Sequence, residues 1–343
     1  MQYNEFVIAS AGAGKTNDIV ERAMNYKDKK LLITTYTLEN VKNIKEKFLN
    51  INGFIPSNVE IMSWFSFLLQ HCVRPYQNFL CTRKADEIKF TNKNANFYIK
   101  KDDYERYYFC DNNTIYSEKL SEFAFNSNLK SSGKVISRLE KCFDYIFIDE
   151  AQDLAGYDLN FIEDILNSNI KMLIVGDSRQ VTYKTNRSRK NSKLNKDMLE
   201  WASYLESVKK CILIYKNISF RCNQQICDFA DLLYPNMPKT ESKNMQKTDH
   251  DGIFCISKEQ LNEYCSKYNP TILRYDKRTI VDEKLNVINI GLSKGITYDR
   301  IVIMPTKSFA DFFKNKDSAK VTSKEKLYVA ITRAKYSVTF VID

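Results

Sequence analysis

The chain contains little of what marks a disordered, membrane-spanning or secreted protein. Only 9 of its 343 residues are Gly and 6 are Pro, whereas 43% are hydrophobic, so the chain can bury a core and wholesale disorder is excluded. No apolar run approaches the ~18–20 residues that a transmembrane helix needs. The polar start at Met1–Asn4 leads directly into a short apolar segment, which predicts no signal peptide, a cytoplasmic location and no membrane partner.

Clustered metal ligands are also missing. The 9 cysteines include no Cys-x-x-Cys pair, and the chain has only 2 histidines, His71 and His250. Zinc and iron–sulfur sites need ligands at short spacing. We therefore expect reduced thiols in a core, with neither a zinc site nor an iron–sulfur cluster.

The charge is unbalanced toward basic residues. The chain has 52 Lys and Arg residues against 42 Asp and Glu residues, a formal net charge of +10, which allows a polyanionic partner without requiring one. Six basic side chains and no acidic one lie between Lys184 and Lys196, both included. This run is either a solvated loop or a segment that follows nucleic-acid phosphates.

Short β-branched and aromatic runs alternate with segments of helical periodicity. This alternation predicts parallel sheets whose strands are joined by helices, and the length predicts about two domains at roughly 100–200 residues each. We expect an α/β fold with domains at residues 1–205 and 206–343, the first with an insertion at about 75–135, and a loop at Pro235–Asp251. The predicted strands are Glu5–Ala9, Leu31–Thr35, Val59–Ser63, Tyr145–Asp149, Met172–Gly176, Cys211–Tyr215, Gly252–Ser257, Thr271–Tyr275, Val287–Ile290, Arg300–Met304 and Ser337–Ile342.

A phosphate-binding loop is predicted at Ala9–Thr16, whose sequence is ASAGAGKT. The segment follows a predicted strand and opens a predicted helix, as such loops do. Its glycines allow backbone conformations that aim N–H groups at an anion, Lys15 would reach the terminal phosphates, and the Thr16 hydroxyl would ligate Mg²⁺. The residues expected to bind the nucleotide, ATP or another NTP, are Ala11, Gly12, Ala13, Gly14, Lys15 and Thr16.

A second motif, YIFIDEAQD, spans Tyr145–Asp153 and has the pattern of a buried strand that ends in carboxylates. Asp149 would hold the Mg²⁺ shell, directly or through water, and Glu150 would polarise the attacking water as a general base. A solvated acidic pair is the alternative. With a phosphate loop upstream, the two motifs favour hydrolysis of a nucleoside triphosphate.

These motifs resemble those of superfamily 1 helicases of the UvrD/Rep/PcrA type. The loop is similar to the family's AGAGSGKT form, which also begins with Ala, and DEAQD matches its second motif. The resemblance implies two RecA-like P-loop NTPase domains with parallel sheets and a nucleotide site in the cleft between them. Further matches to the third, fourth, fifth and sixth motifs occur in family order at Val175–Gln180, Phe220–Arg221, Leu292–Gly295 and Tyr328–Lys335.

The resemblance also implies roles for single residues. Gln180 would sense the γ-phosphate, and Phe220 would stack on the nucleotide base. Arg221 would reach the γ-phosphate from the second domain, and Arg333 would act as an arginine finger. In the fifth motif, Gly295 is assigned to the nucleotide and Lys294 to DNA.

Four aromatic residues are assigned to DNA by the same resemblance. Thr35–Leu38 looks like the family's TFTN segment, which places Tyr36 where an aromatic ring contacts single-stranded bases. Ser63–Phe67 is similar to TFHSF, another strand-contacting element, and this assigns Trp64 and Phe65. Tyr183 stands where the third motif has Tyr.

The chain departs from the family in four respects. No Gln-containing segment precedes the loop at the usual distance, so nucleotide choice is expected to be looser than strict ATP. Thr185–Asn186 replaces an aromatic–Arg pair, and Thr297 replaces a Glu. Only about a dozen residues separate Thr271–Tyr275 from Val287, so the large accessory domain of the second core domain is expected to be absent.

Two functions remain open from the sequence. The first is an ATP-dependent translocase or helicase on single-stranded or tailed DNA, with 3′→5′ polarity by resemblance. The alternative is an NTP-operated DNA sensor or switch in a larger repair, replication or defence complex, with a partner protein or nuclease and without processive unwinding. An RNA helicase is less favoured, because DEAQD and YVAITRAK resemble the DNA-type motifs.

Overall fold

The computed structural model describes residues 1–91, 98–181, 198–282 and 284–342. It divides into two compact units. Unit 1 comprises Met1–Ile8, Lys15–Ser178 and residues 198–214, and unit 2 comprises Ala9–Gly14 together with residues 179–181 and 215–342. No helix in the described ranges is long and apolar enough to span a bilayer.

The main sheet of unit 1 has six strands in the order β3-β2-β6-β7-β1-β8. The ladders from β3 through to β1 are parallel, as the sequence predicts. The middle strands are buried along nearly their whole length, because helices cover both faces of such a sheet. The strands are β1 (Glu5–Ala9), β2 (Leu31–Thr35), β3 (Val59–Ser63), β4 (Glu87–Lys89), β5 (Thr114–Tyr116), β6 (Tyr145–Ile148), β7 (Lys171–Gly176) and β8 (Ile212–Lys216).

Local sequence signals account for the ends of several helices. The hydroxyl of Thr37 caps α2 by accepting a hydrogen bond from the amide of Asn40 at 3.1 Å, and Gly53, which has a positive φ, caps the other end of the helix after Asn52. The helices of this part are α1 (Lys15–Met24), α2 (Leu38–Asn52), α3 (Trp64–Phe67), α4 (Tyr104–Tyr108), α5 (Leu120–Lys130), α6 (Lys134–Cys142), α7 (Tyr157–Leu166) and α8 (Met198–Ser207).

The predicted insertion contains its own small sheet, in which β4 and β5 pair in parallel. α5 packs against α4, with Phe123 edge-on to Tyr108 at 4.9 Å between ring centroids. A buried carboxylate on the same helix, Glu122, accepts hydrogen bonds from Lys101 at 2.6 Å and from Tyr107 at 2.9 Å. The insertion is thus an ordered part of unit 1 over the residues that the structure describes.

Unit 2 is built on a five-stranded parallel sheet in the order β11-β15-β14-β12-β13. Ile301, Ile303, Val338 and Phe340 form the centre of its core. The strands are β9 (Ile218–Ser219), β10 (Glu241–Ser242), β11 (Gly252–Ile256), β12 (Thr271–Arg274), β13 (Val287–Asn289), β14 (Tyr298–Met304) and β15 (Ala334–Val341), and the helices are α9 (Gln224–Asp231), α10 (Leu261–Tyr268), α11 (Lys307–Asn315) and α12 (Lys324–Ile331).

The segment Pro235–Asp251, predicted as a loop, contains the short strand β10. β10 pairs in parallel with β9, which directly precedes the fourth motif. A two-residue strand has no periodicity from which it could be predicted. The pairing matters for the site because it holds Ser219 in place.

Candidate active site

The loop between β1 and α1 has the conformation that an anion-binding turn needs. Gly12 and Gly14 have φ angles of +79° and +76°, which other residues rarely adopt. The amide of Ala13 donates to the Ser10 carbonyl at 3.2 Å. α1 begins at Lys15, so the first amides of the helix and its dipole lie at the end of the loop. The backbone of this loop fits a bound phosphate group.

Thr16 and Asp149 are in direct contact in unit 1. The Thr16 hydroxyl donates to Asp149 Oδ2 at 3.0 Å. The backbone amide of Asp149 donates to the carbonyl of Thr34 at 2.9 Å, which holds the carboxylate at the carboxyl edge of the sheet. Hydroxyl and carboxylate oxygens are the hard ligands that Mg²⁺ prefers. The pair therefore fits the predicted metal site.

Asp149 is only 3% exposed, which is unusual for a residue with a carboxyl group. Burial and the neighbouring Glu150 carboxylate raise the pKa of Asp149 to about 6, while the Lys15 ammonium and the Thr16 hydroxyl act in the opposite direction. A divalent cation beside this carboxyl group would favour its ionised form.

Glu150 is held in a strained position. Its φ of +60° is uncommon for a residue with a side chain and occurs often at functional sites. Its carboxylate accepts a hydrogen bond from Gln152 Nε2, and Gln152 Oε1 accepts one from the amide of Asp177 at 3.0 Å. Gln152 was not among the predicted site residues. Its place in the DEAQD motif was a signal, but only the fold shows that it links the second and third motifs.

Arg333 and Gln180 meet within unit 2. Arg333 is 2% exposed, and its Nη2 donates to Gln180 Oε1 at 3.1 Å. Its Nε donates to the carbonyl of Val329 at 3.2 Å and its Nη1 to that of Ile296 at 3.4 Å. Ile296 directly follows Gly295, which has a φ of +88°. The third, fifth and sixth motifs are therefore in contact.

Phe220 and Arg221 lie beside the loop residues that belong to unit 2. The Phe220 amide donates to the Gly12 carbonyl at 2.9 Å, and its ring, 60% exposed, is 3.9 Å from where a Cβ on Gly14 would lie. Arg221 Nη1 donates to the carbonyl of Thr332 at 3.0 Å, at the end of α12. An exposed aromatic ring at this place is suited to stacking on a nucleotide base.

The residues predicted to contact DNA differ in how far they are buried. The half-buried ring of Tyr36 lies 5.6 Å from the buried ring of Phe65, centroid to centroid. Lys294 is half-buried directly after the short 3₁₀ helix Ile290–Ser293. Tyr183 lies outside the described residues, as does the whole basic run from Lys184 to Lys196.

Trp64 is a core residue in the structure, contrary to its prediction as a DNA contact. Its side chain is 1% exposed, and its Nε1 donates to the buried Asp158 Oδ1 at 2.7 Å. The similarity to TFHSF could not reveal this, because sequence order does not determine to which side each aromatic ring of a short helix points.

Comparisons with known proteins agree with the motifs. Residues 69–198 match the UvrD/REP helicase N-terminal domain. The crystal structure of arterivirus nonstructural protein 10, a helicase, is 12% identical over 99% of this chain and 59% of that one, with a TM-score of 0.52. Its complex with DNA is 13% identical over 99% of this chain and 61% of that one, with a TM-score of 0.50. No curated protein sequence matches.

The likeness to these structures concerns the fold. It confirms the predicted α/β fold with two RecA-like domains and parallel sheets. The chain spans about three fifths of the length of the two helicase chains that it matches.

The buried Asp149 predicts a pH-dependent cost in stability. Its pKa in the folded protein, about 6, lies above the ordinary 3.8, so the cost is fully present well above pH 6, falls as the pH decreases toward 3.8, and vanishes well below pH 3.8, where both the folded and the unfolded state are protonated. In EDTA at pH 7.5, Asp149→Asn should raise the free energy of unfolding by up to ~3 kcal/mol, and the gain should shrink from pH 6 to pH 4. Urea denaturation measures this, with the exposed Asp28→Asn as control. Superimposable curves for wild type and Asp149→Asn would contradict it.

Gly12 and Gly53 offer a matched pair of substitutions. Both have a φ of +79°, but a Cβ on Gly12 would lie 2.5 Å from Ser219 Oγ and 2.7 Å from Arg221 Cβ, whereas one on Gly53 would meet nothing within 4 Å. Gly53→Ala should cost only the backbone strain of about 1–2 kcal/mol in free energy of unfolding. Gly12→Ala should cost ~1–3 kcal/mol more because its neighbours must move. Equal losses in chemical denaturation would refute the close approach.

The hydrogen bond of Trp64 predicts a structural effect. Trp64→Phe keeps the aromatic packing but removes the donor to buried Asp158, and should lower the free energy of unfolding by ~1–3 kcal/mol. Binding of fluorescent single-stranded DNA should match that of wild type. Weaker DNA binding at unchanged stability would restore the sequence-based assignment.

Proposed function

We propose that this chain, whose family is that of the UvrD-like superfamily 1 helicases, couples NTP hydrolysis to movement along single-stranded DNA. The observation that carries the proposal is the joint presence of a phosphate-binding loop, the Thr16–Asp149 pair and the Gln180–Arg333 contact. ATP and Mg²⁺ are the proposed cofactors. The donor set of Thr16 and Asp149 suits a magnesium ion, which would neutralise phosphate charge when bound.

In the proposed reaction, water attacks the γ-phosphorus. The bond between that phosphorus and the bridging oxygen of the leaving diphosphate breaks, and Glu150 accepts the proton of the water. Lys15 stabilises charge on the terminal phosphates. Gln152 orients Glu150 through the hydrogen bond between their side chains. Arg221 and Arg333 supply positive charge to the γ-phosphate, the role of arginine fingers in related chemistry.

The proposed movement along DNA is driven by opening and closing of the two domains, because Arg221 and Arg333 belong to the second domain and the phosphate loop to the first. We assign residues 1–205 and 206–343 to two domains that close on the nucleotide, with the γ-phosphate held from both sides. Loss of the γ-phosphate removes the contacts with Arg221 and Arg333 and lets the domains part. The aromatic ring of Tyr36 and the ammonium of Lys294 would hold the DNA strand during each cycle, with 3′→5′ polarity.

A second function is favoured by one observation. β12 and β13 are neighbours in the sheet of unit 2 and are joined by residues 275–286, a connection too short to contain an accessory domain. Without an accessory domain the protein would be a compact NTPase. It would serve as an NTP-operated sensor of DNA for a partner protein or nuclease, without processive unwinding.

Hydrolysis rates and strand displacement distinguish the two functions. We expect single-stranded DNA to stimulate NTP hydrolysis at least ~10-fold, and Lys15→Ala to lower it at least ~100-fold, while the exposed Lys42→Ala leaves it unchanged. Displacement of a 3′-tailed but not a 5′-tailed duplex supports the helicase. Stimulation without displacement supports the sensor.

Two further outcomes decide the remaining assignments. Comparable rates with ATP, GTP and CTP would support loose nucleotide choice, and strict ATP preference would reject it. A chain that hydrolyses NTP at the same rate with and without DNA would refute both functions.

A further inference from the structure

Arg179, next to Gln180 in the third motif, is among the largest fully buried side chains of the described structure, at 1% exposure. Its Nη1 lies 3.3 Å from Asp231 Oδ1 and 3.4 Å from Thr240 Oγ1. Its guanidinium carbon is 4.9 Å from the ring centroid of Tyr328. Removing an arginine from water is costly unless its charge and donors are satisfied, so this side chain is held by a specific set of partners.

The three partners of Arg179 come from three different segments of unit 2. Asp231 ends α9, the helix that follows Arg221, and its carboxylate also accepts hydrogen bonds from the Thr240 amide at 2.5 Å and hydroxyl at 3.0 Å. Burial raises the pKa of Asp231, and Thr240 and Arg179 act against that rise. Arg179 therefore keeps the end of α9 and the segment before β10 together.

The same network reaches the phosphate loop and the sixth motif. The hydroxyl of Tyr328, the first residue of that motif, accepts a hydrogen bond from the amide of Ala11 at 3.4 Å. The hydroxyls of Thr240 and Ser10 are 3.3 Å apart. All of these residues belong to unit 2. Arg179 thus lies among three segments that meet around the γ-phosphate position in the proposed reaction.

We propose that Arg179 is the positioning residue that holds Gln180 against Arg333 and keeps both in register with the phosphate loop. The inference rests on the proposed function. Gln180 is the next residue in the chain, so a rigid anchor at Arg179 restricts where Gln180 Oε1 can accept the hydrogen bond from Arg333 Nη2, at 3.1 Å. Arg179 itself touches neither nucleotide nor the reacting atoms; its effect passes through Gln180.

A double-mutant cycle tests whether Arg179 acts through Gln180. Arg179→Lys keeps the charge but loses the planar fork that reaches Asp231 and stacks on Tyr328. We expect Arg179→Lys to lower kcat of NTP hydrolysis about 10-fold, with KM for NTP within about threefold of wild type. Gln180→Ala should lower kcat at least as much. Adding Arg179→Lys to Gln180→Ala should produce no further loss, because the anchored side chain is already gone.

A second variant separates positioning from stability. Arg179→Met with Asp231→Asn removes both charges together, so no unpaired buried charge remains and folding is expected to survive. If positioning is the role, kcat stays low although the chain unfolds at nearly the wild-type temperature. Arg22→Met with Glu5→Gln, which removes a half-buried ion pair of unit 1, is the matched control and should keep the wild-type kcat.

The outcomes are decisive in each case. Losses in kcat that multiply between Arg179→Lys and Gln180→Ala would overturn the positioning role, and so would recovery of kcat in the charge-free double variant. A wild-type chain without NTPase activity would instead refute the proposed function, and this role with it.

Discussion

The hydrogen bond from Thr16 to Asp149 joins the start of α1 to the end of β6, and the proposed chemistry depends on it. It exists because β1 and β6 lie in one parallel sheet, so the residues that follow both strands reach the same edge. This position requires the Asp149 carboxyl group to be buried, which raises its pKa and costs stability. The strongly apolar strands around it offset that cost, since they bury their side chains on both faces of the sheet.

Unit 2 also buries charged side chains, but there they are two arginines. Arg333 is buried, and backbone carbonyls together with Gln180 accept hydrogen bonds from its guanidinium. Arg179, one residue before Gln180, is buried against a carboxylate and an aromatic ring. Neither arrangement is needed to fill a core, for which leucine or methionine would serve better. Polar groups kept in such positions at a cost in stability are typical of functional sites.

Much of the fold could be predicted because buried parallel strands are continuous apolar runs. β1, β2 and β3 begin and end where the sequence predicts, and the parallel α/β architecture is confirmed. The pair of β9 and β10 could not be predicted, since two residues cannot show a period. Trp64 was assigned to DNA from motif similarity, but packing turns its ring into the core, where Asp158 accepts its hydrogen bond.

The residue types in the motifs, and their order along the chain, were enough to indicate a phosphate loop, a metal-binding carboxylate and two arginines for phosphate. The first two roles follow from side-chain groups and from strand–loop–helix context, which are local properties, and the arginine roles follow from the resemblance to the helicase motifs. Tertiary structure alone decided which of the groups touch. Gln152 between Glu150 and Asp177, and Arg179 among Asp231, Thr240 and Tyr328, join residues far apart in the chain, and such contacts exist only after the strands have paired and the core has closed.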